Sequence, residues 1–120
     1  MSNPTGLPYT PAVRAGDWVI VSGQIGLLDG ELVSGGFDAE LSQALKNLEA
    51  HLDSAGATMA DVVKTTVFLT RIGDFDAMNQ VYREFFAEPY PTRSTVGIAL
   101  ANPELMVEIE GIALRRAGPA

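Results

Sequence analysis

The spacing of hydrophobic residues changes along this chain, and it predicts both strands and helices. Residues 62–70 are apolar and rich in β-branched side chains, a pattern typical of a buried strand. Shorter apolar runs near both ends of the chain are bounded by glycine, asparagine or proline and predict further strands. The predicted strands cover residues 12–14, 18–23, 31–33, 62–70, 92–99 and 105–114.

Two other segments repeat their apolar residues at intervals of three and four, which predicts amphipathic helices. The first runs from Leu41 to Ala55, and Gly56 provides its stop. The second is predicted to begin near Asp74 as its N-cap and to end before Pro89. The expected core-facing residues are Leu41, Ala44, Leu45, Leu48, Leu52 and Ala55 in the first helix, and Phe75, Met78, Tyr82 and Phe85 in the second.

This order of elements predicts an α+β fold, with a mixed sheet and two helices packed on one face. At 120 residues the chain is expected to form a single domain over residues 1–120. So few helices leave the second face of the sheet uncovered and apolar. An exposed apolar face of that size usually becomes an oligomer interface, so we expect that the protein is not a monomer.

Composition excludes several classes of function. The chain carries 8 basic and 15 acidic residues, a net charge of −7 that disfavours binding to nucleic acid. It has no cysteine, and its single histidine, His51, is expected at the edge of the core, so thiol chemistry and the usual zinc sites are excluded. No run approaches the ~18 apolar residues of a membrane span, and the first residues lack the features of a signal peptide. A cytoplasmic protein without a metal is expected.

Two charged residues stand out because they interrupt segments predicted as apolar strands. Arg93 follows Tyr90-Pro91-Thr92, and a guanidinium at such a position suits bidentate capture of a small carboxylate. Glu108 lies in the last predicted strand and is suited to orienting or deprotonating a water. Without further information, Arg93 could equally be a structural ion-pair residue and Glu108 a solvated strand residue. Glu110 shares a face with Glu108, and we expect it to find a basic partner or solvent.

Six segments in the same order resemble one protein family. The chain is similar over nearly its whole length to the RidA (YjgF-type) family of reactive-intermediate deaminases. No single segment is specific to this family, but the presence of all six at the spacing found in the family is. They are Pro8-Tyr9, Val21-Ser22-Gly23-Gln24-Ile25, residues 62–69, Asp74-Phe75 with Asn79 and Tyr82, residues 91–96, and Val107-Glu108-Ile109-Glu110.

The resemblance implies a chorismate-mutase-like α+β fold that assembles as a homotrimer. Three sheets would enclose a barrel-like centre, with three pockets between subunits. The arginine-bearing members hydrolyse short 2-imino acids, such as the 2-iminopropanoate derived from 2-aminoacrylate, to 2-oxo acids and ammonia without a cofactor.

The resemblance also implies roles for individual residues. Arg93 matches the arginine that grips the substrate carboxylate, and Glu108 matches the glutamate that orients the attacking water. The remaining matches are expected to line the substrate pocket, with Gly23 offering its backbone N–H. They are Tyr9, Ser22, Gly23, Asn79 and Thr95.

Some positions depart from the family pattern. Thr95 stands where many members carry cysteine, which matters little if the backbone there makes the contact. The turn at Asn102-Pro103 moves the usual proline by one position, and the link between Phe86 and Pro91 is shorter than in some members. These two changes affect the predicted pocket rim and so the selectivity for substrate side chains.

Other functions stay open on sequence grounds. The same Arg93 pocket could serve a sensor or carrier of 2-oxo acids without turnover. An endoribonuclease or translation-inhibitor activity is a label that the family carries, but the net charge of −7 argues against it. No residue specifically supports a holdase-like chaperone.

Overall fold

The computed structural model describes residues 3–116 and contains one mixed five-stranded sheet with two helices. The strand order is β1-β2-β7-β5-β6, in which β5 and β6 are parallel and all other neighbours are antiparallel. A separate two-stranded hairpin joins β3 to β4. The elements are β1 (Ala12–Ala15), β2 (Trp18–Gln24), β3 (Leu27–Leu28), β4 (Glu31–Leu32), α1 (Phe37–Ser54), β5 (Val62–Leu69), α2 (Phe75–Phe85), β6 (Thr92–Gly97) and β7 (Val107–Leu114).

The core lies between the helices and one face of the sheet. The leucines of α1 form a stripe at helical spacing that is fully removed from solvent, and the alternate residues of the central strands face it. Truncating one of these leucines to alanine would cost about 2–5 kcal/mol of stability, since the close-packed surroundings cannot collapse into the cavity. The stripe consists of Leu41, Leu45, Leu48 and Leu52, and the facing residues include Val19, Val67 and Ile109.

The structure confirms the predicted α+β class, the mixed sheet and the order of the main elements. It differs at several boundaries. Helix α1 begins at Phe37 rather than Leu41, after Gly36 with a φ of +87°. The strand β3 was not predicted, because two residues are too few to show any periodicity. Strand β7 begins at Val107 rather than at 105.

The start of α2 follows the sequence expectation in position but not in chemistry. Asp74 occupies the N-cap, yet its carboxylate makes no capping hydrogen bond to the helix. It lies 3.3 Å from the guanidinium of Arg71 instead. At the other boundary, Gly56 follows the C-cap of α1 with a φ of +82°, as expected for a glycine stop.

The face of the sheet opposite the helices carries apolar side chains in contact with solvent. Strand register places Trp18 beside Leu114 and Ile20 beside both Val13 and Ile112 on this open face. Trp18 is 46% exposed and Ile20 is 47% exposed. The expected uncovered apolar face is therefore present, and its burial by further copies of the chain stays a prediction. Within residues 3–116, neither helix has the length and apolar character needed to cross a bilayer.

We predict that a charge on the open face disrupts association. Ile20→Asp should lower the mass measured by light scattering toward the 12.8 kDa of one chain, because an unpaired carboxylate is costly in an apolar interface. Leu28→Asp is the matched control, since Leu28 is 53% exposed but lies in the separate hairpin. A wild-type mass near 12.8 kDa would contradict the prediction.

Candidate active site

The two charged candidates lie on opposite faces of the sheet within one chain. Arg93 pairs with Thr65 of β5, and Thr65 is buried under the helices. Glu108 pairs with Phe68 of the same strand. Because successive strand residues alternate between faces, an offset of three residues along β5 places Arg93 on the helix side and Glu108 on the open side. Arg93 and Glu108 of one chain therefore do not form a single pocket.

Arg93 lies in a cleft of about 370 Å³ between β6 and α2. Its guanidinium carbon is 5.0 Å from the ring centroid of Tyr82 and 5.8 Å from that of Phe75. Among residues 3–116 no carboxylate lies within salt-bridge distance of it. The side chain is half-buried and held by ring faces rather than by an acidic partner, so its donors remain available for an anionic ligand. Asn79 and Tyr90 also line this cleft.

Tyr82 fixes the floor of the Arg93 cleft. Its hydroxyl oxygen is 2.8 Å from the hydroxyl of Thr65, which is buried, and its ring packs 4.5 Å from that of Phe86. Burial raises the pKa of Tyr82, while the hydrogen bond with Thr65 and the charge of Arg93 lower it by a smaller amount. The tyrosine therefore stays neutral and offers its ring face to the cation.

Glu108 borders a second hollow, of about 530 Å³, which shares no lining residue with the Arg93 cleft. Tyr9, Ser22 and Gly23 line the same hollow. The hydroxyl of Ser22 donates a 2.6 Å hydrogen bond to the carbonyl of Thr10, so it ties β2 to the N-terminal segment. Tyr9 is 49% exposed, which leaves its phenol accessible from the hollow.

A β-bulge brings Gly23 against the carboxylate of Glu108. Val21 pairs with Gly111 and Gln24 with Ile109, so β2 has two residues where β7 has one. A Cβ atom at position 23 would lie 2.7 Å from the carboxyl carbon of Glu108 and would have to displace it. The absence of a side chain at Gly23 is what makes room for Glu108.

Burial raises the pKa of Glu108, and the negative charge of Glu110 raises it further. A carboxylate with a raised pKa is a stronger base than one in free solution, which suits proton transfer from a water. Glu110 itself is exposed on the open face and has no basic group within salt-bridge distance among residues 3–116. Glu110 was expected to contact either a basic partner or solvent, and in the structure its side chain contacts solvent.

Thr95 lies apart from both cavities. It pairs with Val67 and so faces the helix side, as Arg93 does, but it does not line the Arg93 cleft. Its hydroxyl oxygen is buried and has no hydrogen-bond partner among residues 3–116. The expected contact of Thr95 with the substrate, which its backbone could make, stays a prediction. Strand β6 is at the edge of the sheet, so one side of its backbone is unpaired by the sheet.

The predicted site residues thus fall into two groups. One cavity brings together Tyr9, Ser22, Gly23 and Glu108, and the other brings together Asn79 and Arg93. Sequence reasoning assigned Phe75 and Tyr82 to the core and missed their contact with the guanidinium. The sequence did contain a signal for this contact. Phe75 lies four residues before Asn79 and Tyr82 three residues after it, so all three share one face of α2.

Residues 3–116 contain no group of three or more histidine, cysteine, aspartate or glutamate side chains placed to hold a metal ion. His51 lines the Glu108 hollow and is partly buried, in agreement with the expected position at the edge of the core. The polar groups that line the two cavities are the Glu108 carboxylate, the His51 imidazole, the guanidinium groups of Arg83 and Arg93, and several phenols, amides and hydroxyls.

Comparison with known proteins agrees with this architecture. Residues 2–115 match the family model described as Endoribonuclease L-PSP. A protein of Dermatophagoides farinae named 2-iminobutanoate/2-iminopropanoate deaminase is 45% identical over 107 residues, covering 88% of this chain and 84% of that protein. The human protein of the same name is 40% identical over 110 residues, covering 90% of this chain and 80% of that protein.

Solved structures of similar sequence share the fold. RidA from a Psychrobacter species superposes with a TM-score of 0.86 at 38% identity, covering 91% of this chain and 89% of that chain. TdcF of E. coli, solved with bound serine, superposes with a TM-score of 0.83 at 38% identity and the same coverage of 91% and 89%. The chain belongs to the RidA/YjgF family, which is the family described as Endoribonuclease L-PSP.

The raised pKa of Glu108 predicts how stability depends on pH. The folded state holds the Glu108 proton more tightly than the unfolded chain, so this residue's contribution to stability is present below the ordinary pKa of 4.5 and is lost as pH rises through the folded value. Glu108→Gln should therefore gain stability relative to wild type as pH rises through that window.

Urea unfolding at pH 4 and pH 7, at one protein concentration, measures this difference. Glu84→Gln is a suitable control, because Glu84 is an exposed acidic residue on α2. A difference between Glu108→Gln and wild type that stays constant, or that moves in favour of wild type as pH rises, would contradict the expected shift.

Proposed function

We propose that this protein hydrolyses short 2-imino acids to 2-oxo acids and ammonia at sites completed by two copies of the chain. The observation that carries the proposal is the half-buried guanidinium of Arg93, held on aromatic rings without an acidic partner among residues 3–116. The names of relatives at 45% and 40% identity support the same reaction class.

Arg93 would bind the substrate carboxylate through two parallel N–H···O hydrogen bonds. This pair of hydrogen bonds holds the carboxylate and the adjacent imine carbon in the plane of the guanidinium. The Tyr82 ring beneath the guanidinium limits its rotation, so the substrate loses its freedom on binding rather than during the reaction. Asn79, in the same cleft, offers an amide for the nitrogen or oxygen of the bound molecule.

Glu108 would supply the proton transfers. Its carboxylate accepts a proton from water while the water oxygen bonds to the imine carbon and the C=N electron pair moves to nitrogen. The same proton is then returned to nitrogen, which gives the carbinolamine. Glu108 next takes the proton of the carbinolamine hydroxyl and delivers it to the amino nitrogen, so the C–N bond breaks and ammonia leaves as the C=O bond forms. The sum is imino acid plus water to oxo acid plus ammonia, so no electron donor or acceptor is needed.

The position of these groups on opposite faces is the reason for invoking a second copy. The Arg93 cleft opens toward α2, the Glu108 hollow shares none of its lining residues, and strand register puts the two charges on opposite faces of the sheet. A closed ring of copies can bring the Arg93 cleft of one chain against the Glu108 hollow of the next by a head-to-tail contact. The trimer implied by the family resemblance is such a ring.

Two alternatives carry less support. A carrier of 2-oxo acids would use Arg93 but has no need for a carboxylate with a raised pKa against Gly23. An endoribonuclease would have to hold a polyanion, which the net charge of −7 disfavours. The proposed hydrolysis, in contrast, uses Arg93 in one cavity and Glu108 in the other.

Loss of the guanidinium should abolish the reaction. With 2-imino acids generated in situ by an amino-acid oxidase and trapped by semicarbazide, wild type should lower trapping and Arg93→Ala should not. Arg116→Ala is the matched control, because Arg116 is an exposed arginine paired with Asp61 and lines neither cavity. If wild type leaves trapping unchanged but binds a 2-oxo acid in an Arg93-dependent manner, the carrier function takes the place of the hydrolase.

Mixing two inactive variants tests the shared site. Arg93→Ala and Glu108→Gln should each be inactive alone, because each lacks one of the two groups. After joint refolding, about a quarter of the contacts between copies would pair an intact Arg93 with an intact Glu108, and activity should return in that proportion. Absence of any recovery in verified mixed oligomers would place both groups in one chain's site and contradict the proposal.

A further inference from the structure

We propose that Glu40 is a positioning residue that anchors the start of β7 and thereby holds Glu108 in place. The catalytic part of this inference rests on the proposed function. The positional part concerns a buried acidic side chain that the mechanism does not use, and it can be tested separately.

Glu40 is the most deeply buried charged side chain of the described residues, at 1% exposure. One of its carboxyl oxygens, Oε2, accepts hydrogen bonds from the backbone N–H groups of Met106 at 2.7 Å and Val107 at 3.3 Å. Both bonds cross 66 or 67 residues of sequence, so they join α1 directly to the first residues of β7. A side chain of α1 thus binds backbone donors at the end of a strand.

Glu40 occupies a position on α1 that an apolar residue would normally fill. It lies in the buried stripe of the helix, between Phe37 and Ala44 and next to Leu41, where an apolar side chain would be expected. A buried carboxyl group is costly unless its oxygens are hydrogen-bonded. The contacts with the β7 backbone are the compensation that this structure provides.

Gly26 allows α1 to come close enough for this contact. A Cβ atom at position 26 would lie 2.7 Å from both the side chain and the backbone oxygen of Glu40. The loop after β2 therefore packs directly on the helix at Glu40. The same loop follows Gly23, which lies against the Glu108 carboxylate, so this loop contacts α1 at Glu40 three residues after it contacts Glu108.

The start of β7 is held from the other side as well. Thr70 donates its backbone N–H to the carbonyl of Met106 at 3.2 Å, and Arg71 approaches the Met106 sulfur at 3.2 Å. With its N–H bound by Glu40 and its carbonyl bound by Thr70, the Met106 backbone has a defined orientation. Glu108 follows two residues later, so a shift at Met106 would be transmitted to its carboxylate over a very short distance.

Replacement of Glu40 should therefore affect kcat more than KM. Glu40→Leu removes the acceptor and should lower kcat roughly 10- to 100-fold, the range expected when a reacting group is misplaced by about 1 Å. KM should change little, since the substrate carboxylate is bound by Arg93 on another strand. Glu40→Gln keeps an acceptor oxygen and should remain within about 3-fold of wild type.

Two readouts do not depend on catalysis. In the full-length protein, hydrogen exchange at the Met106 and Val107 amides should accelerate in Glu40→Leu but not in Glu40→Gln. The titration midpoint of the Glu108 carboxyl, followed by NMR, should move toward its ordinary value in Glu40→Leu alone. Leu52→Ala is the control, since it damages the core at the end of α1 that lies farther along the helix from Glu40.

The outcomes separate this inference from the proposed function. If wild type hydrolyses no imine, the proposed function fails, and exchange and titration still decide whether Glu40 anchors β7. If Glu40→Leu does not fold, Glu40→Asp takes its place, because its shorter side chain cannot reach both N–H groups. Exchange and titration that are unchanged in these variants, or altered equally in Leu52→Ala, would overturn the inference.

Discussion

The central strand β5 determines where the chemistry of this protein is located. It pairs in parallel with β6 on one side and antiparallel with β7 on the other, and these two registers set the faces of Arg93 and Glu108. On β5, Thr65 is the partner of Arg93 and Phe68 is the partner of Glu108, three residues further along the strand. A slip of one residue in either pairing would turn the charge to the other face of the sheet. The helix-side core, which needs Val67 and Leu69 inward, opposes such a slip.

The two charges are held in contrasting ways. Arg93 is carried by an edge strand and stabilised by the ring faces of α2, which leaves its hydrogen-bond donors unoccupied by carboxylates of residues 3–116. Glu108 is carried by an interior strand, lies against the bare backbone of Gly23 and has a raised pKa. Under the proposed function, a substrate supplies the anion that Arg93 lacks, and the next copy supplies the carboxylate. Oligomerisation and catalysis then depend on the same contact.

The helices do more than cover the sheet. Phe75 and Tyr82 of α2 contact Arg93, and Glu40 of α1 contacts the backbone at the start of β7. Each helix therefore reaches a strand that carries one of the two charged candidates. Substitutions at these contact residues are expected to affect the geometry of the site as well as stability, because packed interiors transmit displacement.

The sequence by itself determined the class of fold, the long helices, the buried β5 strand and the apolar open face, because these depend on periodicities of two and 3.6 residues that local composition records. The family resemblance singled out Arg93 and Glu108. Neither the periodicity nor the family resemblance predicted that Arg93 packs on the Tyr82 ring or that Glu40 binds the Met106 backbone. Neither predicted that the Thr95 hydroxyl is buried without a hydrogen-bond partner among residues 3–116. Periodicity shows which residues of a strand share a face, but it does not show which strands are neighbours or which face of an edge strand meets a helix. Only the tertiary structure decided those pairings, and with them the separation of the two charges.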